Sequence, residues 1–151
     1  MEADQLQALL IDFCDTVGLP DRASVVAKRL VYVKGMDVSF ETMEGDAGHF
    51  QMYFRFGAIA PGRVLRVFRL MLEANLLVYA KDNAHFGMDP DTGESVLMLR
   101  AAFGHETDGQ WLANTLAHYA EHGLYWRNNI LDCPDEMFNG ISSGRYQWIK
   151  A

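Results

Sequence analysis

Residues Pro61 to Asn75 read as a helix that is apolar over too much of its circumference for a single sheet to cover. At ~100° per residue, Leu70, Ala74, Val67, Met71, Val64, Phe68, Leu72 and Leu65 sweep roughly 220° of the wheel. An ordinary surface helix buries a stripe of ~100°. Arg66, Arg69 and Glu73 make up the clear polar arc. Leaving half of the apolar side chains wet would forfeit about 1.5–3 kcal/mol apiece and expose a patch larger than monomers usually tolerate. A second apolar surface is therefore expected over this helix. The pattern predicts that it is another copy of the same chain, meeting the helix at Val64, Val67, Phe68 and Met71.

The rest of the chain sets bounds on what such a dimer could be. Its 151 residues suit one domain with a single core. The formal charge is −7, and Met1 to Asp21 holds five acids with no Lys or Arg, a balance that repels phosphate backbones and anionic membranes. Arg63, Arg66 and Arg69 form only a local basic stripe, so neither nucleic acid nor membrane is expected as a partner. The start lacks the basic segment of a signal peptide, and no apolar run approaches ~18 residues, which predicts a cytoplasmic protein. Cys14 and Cys133 make no metal or redox spacing and are expected as reduced thiols.

Hydrophobic periods change along the chain in a definite order. Leu6, Leu9, Leu10, Phe13 and Val17 recur at helical spacing, with Glu2 and Asp4 near the positive helix start and Gly18-Leu19-Pro20 as a stop. Asp21 to Lys28 follows neither period clearly. Leu30-Val31-Tyr32-Val33 then closes in a tight Lys34-Gly35 turn. Val38, Phe40 and Thr42, and later Phe50, Met52, Phe54 and Phe56, alternate with polar residues or Tyr53, as half-buried antiparallel strands do. After the wide-arc helix come strands around His85 to Met88 and Ser95 to Ala101, joined by a turn at Asp89-Pro90-Asp91-Thr92-Gly93-Glu94. A last helix is expected from about Asp108 to Ile130, with Leu112, Leu116, Tyr119, Gly123, Trp126 and Ile130 on its buried stripe. The fold class is α+β: helix, three strands, helix, two strands, helix, with an antiparallel sheet packed against helices.

Three constellations could carry chemistry, and each is incomplete. His118-Tyr-Ala-Glu121-His122 matches the H-x-x-E-H pattern in which two His one turn apart hold zinc and the Glu activates water. On the wheel, however, His118 and His122 lie opposite the Leu112/Trp126 stripe, on the wet face, and only 29 residues follow for a third ligand. Gly140-Ile-Ser142-Ser143-Gly144 fits G-x-S-x-G, but that elbow needs a strand before it and a His after it, and no His follows His122. Asp89, Asp91 and Gly93 suggest a Ca²⁺ loop with its Gly one position early and its terminal Glu missing; a hairpin turn explains them. No catalytic residue, cofactor or metal is assigned, while a metal-dependent hydrolase using His118, Glu121 and His122 stays as the enzyme alternative.

The order of motifs points elsewhere. Leu72-Glu73-Ala74-Asn75 after an apolar helix, then Phe86-Gly87-Met88-Asp89 with Asp91 and Gly93, then Val96-Leu97-Met98-Leu99, and a helix ending in Trp126 together resemble the CesT (Tir chaperone) family of type III secretion chaperones. Leu10-Ile11-Asp12-Phe13 through Gly18-Leu19-Pro20 is similar to that family's first helix and its exit. The resemblance runs from about Leu6 to Leu131, so residues 1–131 form the chaperone-like domain and 132–151 a tail extension. Asp21 to Lys28 and the tail depart from the pattern. The resemblance implies a cytosolic homodimer that holds the N-terminal chaperone-binding segment of an effector extended and secretion-competent, without nucleotide or metal.

An extended segment can add its backbone to an exposed strand edge while its apolar side chains fill surface pockets. Candidate pocket formers are Tyr32, Met36, Met43 and Tyr53, with Phe13 from the first helix; the adaptability of Met suits such a surface. The tail carries Met137, Phe138, Ile141, Tyr146, Trp148 and Ile149, too apolar for a free end, and is expected to dock on its own subunit or its mate. A generic dimeric adaptor that binds a folded partner is the non-enzyme alternative.

Overall fold

A computed structural model of the chain describes residues 2–142, with side chains described from 5 to 140. Helix α1 (Glu2–Val17) is followed by a short helix α2 (Arg22–Lys28), then strands β1 (Leu30–Val33), β2 (Met36–Met43) and β3 (Asp46–Ala58). Helix α3 (Val64–Ala74), strands β4 (Ala84–Met88) and β5 (Glu94–Ala102), and helices α4 (Gly109–Trp126) and α5 (Asp135–Ser142) complete the chain. The five strands form one antiparallel sheet in the order β1-β2-β3-β5-β4. The α+β architecture is the one expected, with two helices added. Asp21 to Lys28 resolves into α2, capped where the Asp21 carboxylate accepts the Ser24 N–H at 3.1 Å and ended by Arg29 in the left-handed region at φ 50.

Alternation along the strands does what the sequence leads one to expect. Val38, Phe40, Phe50, Met52, Phe54 and Phe56 are at most 1% exposed and form one wall of the core. The Lys34-Gly35 turn has φ 48 and 82, the double left-handed geometry of a two-residue hairpin. Helices α1 and α4 cover the apolar wall, and aromatic rings stitch α4 to it: Phe54 to Tyr119 at 6.0 Å, Phe86 to Trp126 at 4.4 Å and Phe50 to Trp111 at 6.3 Å between centroids. Two glycines set the spacing. A Cβ on Gly109 would stand 2.5 Å from the Asp12 carbonyl oxygen, where α4 begins against α1. One on Gly123 would stand 2.9 Å from Met36 Cε, so the Met36 side chain lies on bare α4 backbone.

Helix α3 does not stop at Asn75. A widened π-type turn, Asn75–Tyr79, and a 3₁₀ turn, Ala80–Asp82, carry it on to β4. The last long helix likewise loosens into a π-type turn at Arg127–Leu131. At the second of these places lies a buried cation, brought there by the start of α3. Arg63 donates to the carbonyls of Ile130 (2.8 Å), Leu131 (3.1 Å) and Cys133 (2.5 Å) and to the Asp135 carboxylate (2.8 Å). Its guanidinium also lies 4.5 Å from the centroid of the Phe138 ring, which is 1% exposed. The carbonyls left unpaired where α4 unwinds are thus satisfied by one side chain. Through Phe138, and through Arg66 donating to the Asn139 side chain at 2.6 Å, the first part of the tail docks on α3 of its own subunit. Tyr146, Trp148 and Ile149 lie outside the described residues.

Candidate functional site

The structure corrects the choice of face on α3. Val67, Leu70, Met71 and Ala74 are at most 5% exposed and belong to the subunit's own core, while Val64 and Phe68 are half-buried. Val67 and Met71 therefore offer no surface to a second chain. The bare face lies on the opposite side of the wheel: Leu65 is 82% and Leu72 69% exposed, followed by Leu76 at 77% and Leu77 at 69% on the π-type turn. The apolar excess read from the sequence is real. Its two halves are exchanged, because periodicity gives the angle between two stripes and not which of them meets the sheet.

The expected pocket formers separate in a similar way. Phe13 is 5% and Met36 1% exposed; the first sits one turn beyond Leu9 and Leu10 on the core stripe of α1, and the second is held on Gly123. Both are core residues and not surface ones. Tyr32 and Met43 are 73% and 44% exposed. Tyr53 is half-buried on the sheet face opposite the helices, where its hydroxyl donates to Gln51 and, at 3.2 Å, to Glu41. Burial and the Glu41 charge raise its pKa.

That opposite face carries Tyr32 on β1, Asp37, Ser39 and Glu41 on β2, Gln51, Tyr53 and Arg55 on β3, with Val96, Met98 and Arg100 on β5. Its two edges differ. The hairpin pairs Val33 with Met36 and Val31 with Val38, and the Phe40 N–H reaches the Arg29 carbonyl at 3.0 Å. Alternation of bonded and non-bonded pairs then turns the N–H and C=O of Leu30 and Tyr32 outward, where no described residue bonds them. At the far edge the outward N–H of Phe86 on β4 is taken by the Asn75 side chain at 2.6 Å. The Asn75–Asp82 continuation of α3 thus guards β4, and β1 keeps a free edge.

The motifs considered for chemistry have other occupations. His118 is exposed but His122 is half-buried, a correction to the expected wet face. The Asn75–Asp82 segment folds back over this flank of α4 and brings Tyr79 Oη to 2.6 Å from His122 Nδ1. Burial first, then the neighbouring His118, lowers the His122 pKa, and burial pushes the Tyr79 phenol up to about 12. Glu121 is tied to Lys34 Nζ at 2.8 Å. Gly140, Ile141 and Ser142 are in α5, a helix and not the strand that a nucleophile elbow follows. Asp89 is held by Arg55 at 2.6 Å and accepts the Asp91 N–H at 2.9 Å, a hairpin turn with its carboxylate neutralised. Among the described residues no group of His, Cys, Asp or Glu is arranged to hold a metal ion, and no helix is long and apolar enough to cross a membrane. Cys14 and Cys133 are free and buried.

The structural roles of Arg63, Asn75 and Tyr79 emerge only in the fold. Arg63 and Asn75 are polar types usually found in water, and none of the three interrupts a period, so no local signal marks them.

Chains in three solved complexes share this fold. A chain of the ExsC–ExsE complex superposes with a TM-score of 0.67 at 18% identity, over 88% of this chain and 98% of that one. A chain of the heterodimeric ExoU–SpcU complex from the type III secretion system of Pseudomonas aeruginosa gives 0.50 at 20% identity, over 76% and 94%. One from the HopA1–SchA chaperone–effector complex gives 0.50 at 14%, over 82% and 95%. The chain itself belongs to the Tir chaperone protein (CesT) family, whose model matches residues 12–127. No curated protein sequence matches it.

Proposed function

We propose that this protein is a cytoplasmic type III secretion chaperone that acts as a homodimer and keeps the N-terminal segment of an effector extended, soluble and ready for secretion. Membership of the Tir chaperone family across residues 12–127 carries the reading. Two features of the chain support it. The free β1 edge at Leu30 and Tyr32 suits the addition of an extended strand, and such a segment, already disordered, has no fold to lose on binding. The bare Leu65/Leu72/Leu76 face of α3 suits a two-fold contact with its own copy. The work is binding, with no bond made or broken and no ATP.

Co-expression with N-terminal fragments of effectors from the same genome tests this. The expected product is a complex of two chains with one segment, isolated without nucleotide, in which the segment is protected from protease. If no fragment binds, the chaperone reading fails and an adaptor for a folded partner replaces it.

A further inference from the structure

The open sheet face holds a hollow of about 340 Å³ between β2, β3, β5 and β4, and its lining is chemically lopsided. Val96, Met98 and Met88 make an apolar floor and wall, and Glu41 and Tyr53 close one side. The hollow exists partly because position 87 is a glycine: a Cβ there would meet nothing within 4 Å. Its one cation is already used. Arg55 stands opposite Asp37 in the strand register yet reaches the other way, to Asp89 at 2.6 Å and Glu94 at 3.9 Å. Among the described residues Glu41 and Asp37 are therefore paired with no cation; Glu41 receives only the Tyr53 hydroxyl. Lys34, the nearest lysine in sequence, is engaged with Glu121.

We infer that this hollow takes a lysine or arginine side chain from the extended partner segment, its aliphatic stem on Val96, Met98 and Met88 and its charged head at Glu41. The inference rests on the chaperone reading and deepens it by naming a residue type in the client. A long cationic side chain fits because it combines a long apolar stem with a positive terminal charge. A carboxylate would meet Glu41 of like sign while Arg55 is held by Asp89, and a plain aliphatic group would cover the Glu41 side without satisfying its charge. Screening by salt follows, since the rim is open to solvent.

The probe is a short blocked peptide of alternating Ser and Val with one central Arg, beside versions with central Leu and central Glu, titrated into the ¹⁵N-labelled chain. The Arg peptide should shift the resonances of Glu41, Tyr53, Gly87 and Met98 and weaken as NaCl is raised, while the Leu and Glu peptides bind at least about tenfold more weakly. Glu41→Gln should remove that preference, and Gly87→Leu should block the hollow without unfolding the sheet. Equal binding of the Leu peptide, or shifts confined to other surfaces, overturns the assignment. The effector fragment keeps the two ideas distinguishable. If it binds wild type, Glu41→Gln and Gly87→Leu equally, the chaperone reading stands and the pocket assignment is wrong. If it does not bind wild type at all, the chaperone reading is wrong while the peptide series still reports on the hollow.

Discussion

The two apolar faces of α3 are made from the same residue types and serve opposite ends. Val67, Leu70, Met71 and Ala74 are at most 5% exposed, whereas Leu65 and Leu72, seven positions apart and so nearly eclipsed on the wheel, are 82% and 69% exposed. The inner face is set by packing within one subunit, where every methyl has a partner. The outer face has none among the described residues, and the dimer proposed above would supply one. On that proposal α3 links the fold of a subunit to its assembly. Its ends repeat the contrast: Arg63 fastens the inner side to the tail, and the Asn75–Asp82 continuation guards an edge while showing Leu76 and Leu77 outward.

Substitutions on the two faces should part sharply, and the inner face gives the largest effect. Val67→Asp places an unpaired carboxylate in the core and is expected to cost about 4 kcal/mol or more, read as insoluble protein or loss of a cooperative melt. A soluble Val67→Asp protein with a wild-type melt would erase the distinction. Arg63→Ala should come next, at about 2–4 kcal/mol, because the carbonyls of Ile130, Leu131 and Cys133 lose their donor. Urea melts measure the loss, and protease cleavage within 135–142 should become easy as α5 comes free. Asn75→Ala leaves the Phe86 N–H without its acceptor, about 1–2 kcal/mol, and amide exchange at Phe86 should quicken; unchanged exchange would mean the β4 edge is covered by something other than this side chain.

The Tyr79–His122 contact adds a pH dependence. With the folded pKa of His122 held below its ordinary value of 6.5, the unfolded chain takes up the proton first. Its contribution to stability is complete above about pH 6.5 and is lost as pH falls through the lower folded pKa. Asp46, Asp89 and Glu121, whose pKa values are lowered by Arg100, Arg55 and Lys34, titrate in the more acidic carboxylate range. Thermal melts between pH 7 and 5 should therefore decline in wild type and flatten in His122→Gln. The smallest change in subunit stability belongs to the outer face. Leu65→Asp with Leu72→Asp should alter it by no more than about 0.5 kcal/mol, while sedimentation shows the mass fall from two chains to one.

Much of this molecule is legible in its residue order. The alternation of Phe50, Met52, Phe54 and Phe56, the Lys34-Gly35 turn and the Leu112-to-Ile130 stripe each carry their own local period, and each is where that period puts it. The candidate site was legible only in part. Tyr32, Met43 and Tyr53 remain at or near the surface, whereas Phe13 and Met36 went inside, because alternation ranks neighbours within one element and does not count what another helix lays over them. Gly123 shows this directly: its missing side chain makes room for Met36, 87 residues away.

Periodicity, charge and motif order, all properties of neighbouring residues, were enough to determine the α+β class, the apolar surplus of α3 and the family to which the chain belongs. Which stripe of α3 turns inward, which sheet edge is guarded and which remains free, and why an arginine can be buried at position 63 were decided only by tertiary structure. Those outcomes depend on groups far apart in sequence meeting in space. A hydrogen bond between Asn75 and Phe86 or a guanidinium laid across Ile130 and Cys133 has no local pattern to announce it.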